Sequence, residues 1–289
     1  MIWFLLANCT AFSESLKDVF SKKNLRIFDG YLVSWVFAVC TFLLLLPSLL
    51  VVPVPQLGQQ FGLALLASGS LNVLATLLYL HALQRSDMSL SLPMITLTPL
   101  FLLVTSPLIV GEYPNVFDLI GVAFLVAGTY TLNFQVRKEG LLVPFQALLR
   151  ESGPRLMLGV AFLWSLTANF DKMGVQNSSP IFWAIASYGY IAAALVPVVY
   201  YKSNFSWQQI WPQRFFLVAI GFFNALTVTC QMTAINLTMV VNVISIKRTS
   251  VLWGVLWGHL FFKEPGFKTR MTAAFLMVLG VFFISLSYT

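Results

Sequence analysis

Lys247 and Arg248 stand side by side in NVISIKRTSVLWGVLWGHLFFKEP (242–265), a stretch whose other residues suit a membrane helix. A charge at the centre of such a helix costs about 2.5–3.5 kcal/mol on insertion scales, so an intramembrane pair is a functional candidate by default. The chemistry it offers is anion binding. A guanidinium grips a carboxylate or phosphate through two parallel N–H donors, and an ammonium adds a point charge. Trp253, Tyr79 and Gln231 are candidates for shaping the same cavity, with His81 beside them, although a lone membrane histidine is more often a hydrogen-bonded packing residue. The competing reading is permanent pairing of both cations with Glu14, Asp18 or Asp171.

Glu14, Lys17 and Asp18 fall at i, i+3 and i+4, so a helix places them on one face. They read as coupling or gating groups: a carboxylate that carries protons, or a partner released when the cavity opens. The bland alternative is a local Glu14–Lys17 pair beside a frayed helix end. Asp171 and Lys172 lie at the end of an apolar run and read as solvated loop residues. Glu112 and Glu264 each precede a proline within two residues, which suggests structural closure of a helix turn. Pro93 and Pro99 interrupt the backbone ladder of their segment, and interrupted helices expose backbone groups at substrate sites of transporters. Gly254-x-x-x-Gly258 allows another helix to approach closely. No HExxH, GxSxG or phosphate-loop pattern occurs, and Cys9, Cys40 and Cys230 lack CxxC spacing. Neither an enzyme, a metal site nor a cofactor is expected.

The elements that must hold these residues are membrane helices. Of 289 residues, 58% are hydrophobic and only 9% charged, against roughly 25% charged in soluble domains. Mean hydropathy is +0.84. Apolar runs long enough to span a bilayer, about 20 residues each, follow one another at roughly 2–20, 28–52, 58–84, 88–111, 115–135, 154–175, 180–201, 213–237, 239–262 and 268–287. The expected fold is all-α, with ten transmembrane helices.

The two halves resemble each other. At an offset of 150, Ser15, Leu16, Phe20 and Lys22 meet Ser165, Leu166, Phe170 and Lys172; at 152, Asn72 meets Asn224 and Glu112 meets Glu264. Residues 1–135 and 154–289 therefore form two five-helix repeats joined by a connector at 136–153. An odd number of spans makes the repeats antiparallel, and the charges agree. Lys22, Lys23, Arg26 and Arg85 follow odd spans of the first half, whereas Lys202, Arg214, Lys263, Lys268 and Arg270 follow even spans of the second. Equivalent loops thus carry opposite bias, as an inverted duplication demands. Counted this way, both termini lie outside the cytoplasm. Basic residues confined to short loops give no support for nucleic-acid binding.

The run YLHALQRSDMSLSLPMITLTPLFLLVTSPLIVGEYPNVFDLIGVAFLVAGTYTL (79–132) and its second copy from Gln231 to Pro265 resemble EamA-type members of the drug/metabolite transporter superfamily. The resemblance covers nearly the whole chain. It implies alternating access around a central cavity lined mainly by the third, fourth, eighth and ninth spans. More distantly, the ninth span is similar to that of triose-phosphate/phosphate translocators, whose Asn-x-x-x-Lys-Arg pattern binds phosphate. Here Asn242 precedes Lys247 by five positions, so only Lys247 and Arg248 carry over as anion ligands. The family places ten-span termini in the cytoplasm, opposite to the charge count. The partners expected are a small anionic metabolite, protons or a counter-substrate, and the lipid bilayer of the cell membrane, with a homodimer left open. The alternatives are export of neutral metabolites or amino acids with the Lys-Arg pair as a gate, and a non-transporting sensor or assembly subunit.

Overall fold

The computed structural model describes residues 2–109, 116–132, 150–203 and 207–286, and every regular element among them is helical. The chain runs through ten spans. They are Ile2–Asn24, Gly30–Leu45, Phe61–Arg85, a broken fourth span from Met88 to Ile109, Val116–Leu132, Ser152–Gln176, Pro180–Lys202, Trp207–Leu237, a broken ninth span from Val240 to Phe262, and Phe267–Leu286. Among the described residues, five stretches are long and apolar enough to cross a membrane on those two criteria alone. The first span misses them because it carries Glu14, Lys17 and Asp18, and the ninth because its two pieces are short. Polar residues set the helix starts: Asp29 accepts from Leu32 N at 2.9 Å, and Ser179 caps the helix that Pro180 opens.

The spans pack in exchanged pairs. The first lies on the eighth and the third on the sixth; the second meets the seventh and the fifth meets the tenth. Swapping the halves turns the first pair into the second and leaves the other two unchanged, the contact pattern of inverted repeats. Loop contacts gather the basic segments at one end. Lys22 donates to the carbonyls of Leu83 and Ser86, Arg26 lies 4.9 Å over Phe262, Ser203 donates to Asp29 at 2.5 Å, and Arg270 reaches Asp87 at 2.9 Å.

Both interrupted spans break at repeat-related positions. In the fourth, Leu92–Leu97 winds as a 3-10 turn with Pro93 near its start. Pro99 follows directly, in the first turn of Thr98–Ile109, and Ile95 O is taken instead by the N–H and hydroxyl of Thr98. Adding 152 to that turn gives 244–249, where the ninth span tightens without any proline. There Arg248 N is shared between the carbonyls of Ile244 and Ser245, each at 3.1 Å, and Thr249 N bonds Ile246 O at 3.0 Å. The fourth and ninth spans cross through the expected small-residue pair. A Cβ on Gly254 would meet Leu92 at 2.5 Å, and one on Gly258 would meet Glu264 Oε2 at 2.5 Å.

Glu264 closes more than its own turn. Its buried carboxylate accepts from Met88 N and Ser89 N, each at 2.8 Å, and from Ser89 Oγ. It caps the orphan donors that open the fourth span of the other half. Arg270 stands 3.8 Å from the same carboxylate. Glu112, its repeat mate, lies outside the described residues, as does most of the connector. His259 is a packing residue whose ring stacks on Phe267 at 4.6 Å.

Candidate functional site

A cavity of about 80 Å³ lies between the halves, with room for several waters at about 10–15 Å³ each. Its wall differs from the expected one. The first, sixth and seventh spans contribute as much as the third, eighth and ninth, and the fourth contributes no lining residue. The fourth span instead supports the wall from behind, through Thr98.

The first span enters with Glu14 and Lys17, both buried, as the i, i+3 spacing predicts. Lys17 Nζ is 2.8 Å from Glu14 and 3.4 Å from Asp18, and it lies 5.0 Å over the ring of Tyr79. Tyr79 donates its hydroxyl to Asp18. The helix continues to Asn24, so this is no frayed end. Burying these charges is tolerable because each has an opposite partner and further hydrogen bonds.

The ninth-span break presents the two cations differently. Lys247 donates to Gln231 at 2.8 Å and pairs with Glu14 at 3.4 Å. Arg248 donates to Thr98 Oγ1 at 2.9 Å, but forms no ion pair among the described residues, and its Nε has no partner. Both cations lie over the ring of Trp164, at 5.6 and 5.4 Å, and Trp164 packs on Tyr79 at 5.3 Å. An aromatic face softens the cost of a desolvated cation without neutralising it. Arg248 is 3% exposed and lines the cavity, with the charges of Glu14 and Asp18 acting on it from beyond ion-pair distance. That arrangement suits a carboxylate or phosphate.

Four sixth-span residues line the wall: Trp164, Thr167, Ala168 and Asp171, one helical face at i, i+3, i+4 and i+7. Asp171 is not the solvated loop residue expected. It is buried and accepts from Ser68 at 2.6 Å and from Trp183 Nε1 at 3.2 Å. Asn72 and Asn224, the repeat-related pair, both line the cavity as well.

Three candidates fall outside the wall, the first being Tyr79, which is buried and donates to Asp18. Trp253 is 40% exposed and packs against Phe12 and Trp257 on the outer surface. His81 bonds Leu77 O at 2.7 Å and packs on Tyr31 at 4.7 Å. Trp253→Ala is therefore expected to leave ligand affinity within about twofold, since truncation outside a site removes no ligand contact. A tenfold loss in a binding assay would return it to the site.

The EamA-like transporter family model matches residues 1–134 and again 152–286. The chain belongs to the EamA-like transporter family. Its duplicated match coincides with the two halves that exchange contacts in the bundle. Among solved structures, one described only as "Crystal structure of protein" has a TM-score of 0.67 at 14% identity, covering 98% of this chain and 97% of its own. That likeness extends the EamA-type fold to a second chain and carries nothing about substrate. No curated protein shows significant similarity to this sequence.

Proposed function

We propose that this EamA-family protein is a secondary transporter of a small organic anion in the cell membrane, working by alternating access between repeats 1–135 and 154–289. The observation that carries the reading is Arg248: buried, lacking an ion-pair partner among the described residues, and set where two broken spans meet. Lys247 is the second ligand. It pairs with Glu14 at 3.4 Å and turns to the anion when Glu14 is displaced. Tyr79 and Gln231 are offset by 152, yet one holds Asp18 and the other Lys247.

Binding of organic phosphates, carboxylates, amino acids and lipophilic cations to the purified protein, read as thermal stabilisation, tests the proposal. Anions are expected to raise the melting temperature; stabilisation by cations alone would overturn it. Glu14→Gln sharpens the test, because the variant leaves Lys247 and Lys17 short of one counter-charge. Two charges 4 Å apart interact by about 4 kcal/mol at an effective dielectric near 20. Recovering a third of that for the ligand makes anion binding about tenfold tighter, while the ligand-free protein melts lower. Weaker anion binding by Glu14→Gln would show that Glu14 supports the ligand and does not compete with it.

A further inference from the structure

We propose that Asp171 is a proton-binding site on the cavity wall, the carboxyl that takes up a proton as an anion enters. The proposal rests on the anion reading for its purpose, but not for its geometry. Asp171 is 6% exposed and lines the cavity, and its Oδ1 meets only neutral donors, Ser68 Oγ at 2.6 Å and Trp183 Nε1 at 3.2 Å. Among the described residues no cation lies within ion-pair distance of it. The ionisable groups that face it are Lys247 from the ninth span and Tyr188 from the seventh. The third and eighth spans offer the same wall Asn72, Asn224 and Gln231, which do not titrate.

Glu14 is the carboxylate that the helix spacing singles out for protons, and its surroundings oppose that role. Lys17 and Lys247 hold it at 2.8 and 3.4 Å. A proton on Glu14 would leave Lys247 without its carboxylate and Lys17 with Asp18 alone, at 3.4 Å. A proton on Asp171 breaks no ion pair. The charge balance gives the uptake a reason. Glu14, Asp18 and Asp171 stand against Lys17, Lys247 and Arg248, so the site with its immediate neighbours is formally neutral. An arriving monoanion adds one negative charge, and one proton on Asp171 restores the balance. A metal ion fits less well. Hard cations such as calcium gather six or more oxygen ligands, and here an indole N–H points at the carboxylate. Asp171 also lies six residues before the Asn177 C-cap, about 9 Å along the helix at 1.5 Å per residue. It therefore sits between the cavity and the end of the bundle opposite the basic loops.

Infrared difference spectra of the purified full chain, acid minus near-neutral pH and without any added solute, test the site. Over the signal of the chain's other carboxyls, the wild type is expected to gain a protonated-carboxyl band of its own that Asp171→Asn lacks and Glu14→Gln keeps. Asparagine can still accept from Ser68 and Trp183, so the variant preserves the local bonds. Trp183→Phe should keep the band but shift it, because one donor to the carboxyl is gone. A band retained by Asp171→Asn, or lost in Glu14→Gln, overturns the proposal. Should Asp171→Asn fail to fold, an unshifted band in Trp183→Phe does the same. Since no anion is present, failure here leaves the anion reading standing, and loss of the anion reading leaves the band unchanged.

Discussion

Arg248→Met is expected to abolish the anion response while leaving the ligand-free protein as stable as the wild type, or more so. The two halves of this expectation share one cause. Arg248 is a buried charge with a single neutral acceptor, Thr98, and an unpartnered Nε. Replacing buried ionic groups by apolar residues of similar size is often neutral or stabilising by about 1–4 kcal/mol. When an anion is bound, the same guanidinium supplies hydrogen bonds worth about 1.5–3 kcal/mol each. Losing one lowers affinity roughly 10- to 100-fold, and losing a two-pronged grip lowers it further. Melting curves with and without the best-binding anion read both quantities. Arg248→Lys should fall between the two, because it keeps the charge and loses the planar fork. A large drop in the melting temperature of empty Arg248→Met, with its anion response intact, would make Arg248 a scaffold residue.

Glu264→Ala is expected to be the most destabilising single change, at about 3–5 kcal/mol. It removes a carboxylate that serves Met88 N, Ser89 N and Ser89 Oγ, and it leaves Arg270 beside a void. Two helix-opening N–H groups then lose their acceptor in a buried setting. The consequence reaches the cavity, since the start of the fourth span sets the position of Thr98 and so of Arg248. Glu264→Gln should recover part of the loss, because its amide oxygen still accepts. Chemical or thermal unfolding in detergent measures the cost. A cost below about 1 kcal/mol, the range of an exposed ion pair, would mean that the fourth span is held by apolar packing alone.

How far these features could be read from residues depends on which physical signal carried them. The ten spans were legible because bilayer thickness fixes the length of an apolar run. The face bearing Glu14, Lys17 and Asp18 was legible from spacing alone, and its Glu14 and Lys17 line the cavity. Trp253 and His81 were misplaced for a simple geometric reason. At 3.6 residues per turn, His81 lies about 140° around the third span from Thr76, which lines the cavity, and Trp253 follows the ninth-span break on a helix that gives the wall no residue. Sharing a helix with a site residue does not mean sharing its face.

Asp171 was missed because it was judged by its distance from the end of a span. The signal that could have found it is the periodic set Trp164, Thr167, Ala168 and Asp171. The ninth-span break left no mark in the local sequence, since Ile244–Thr249 holds neither proline nor glycine. Its repeat mate Pro93 marks the same position in the other half, so the duplication was the route to it. Pro99, by contrast, shows that a proline beside a break can start a helix as well as end one.

The buried cation at the ninth-span break, Arg248, is proposed to hold the transported anion. The most direct measurement is counterflow of the best-stabilising anion in proteoliposomes holding equal amounts of wild-type protein or Arg248→Met. The wild type is expected to exchange labelled for unlabelled anion, and the variant to stay at the level of empty vesicles. Exchange by Arg248→Met at the wild-type rate would contradict it.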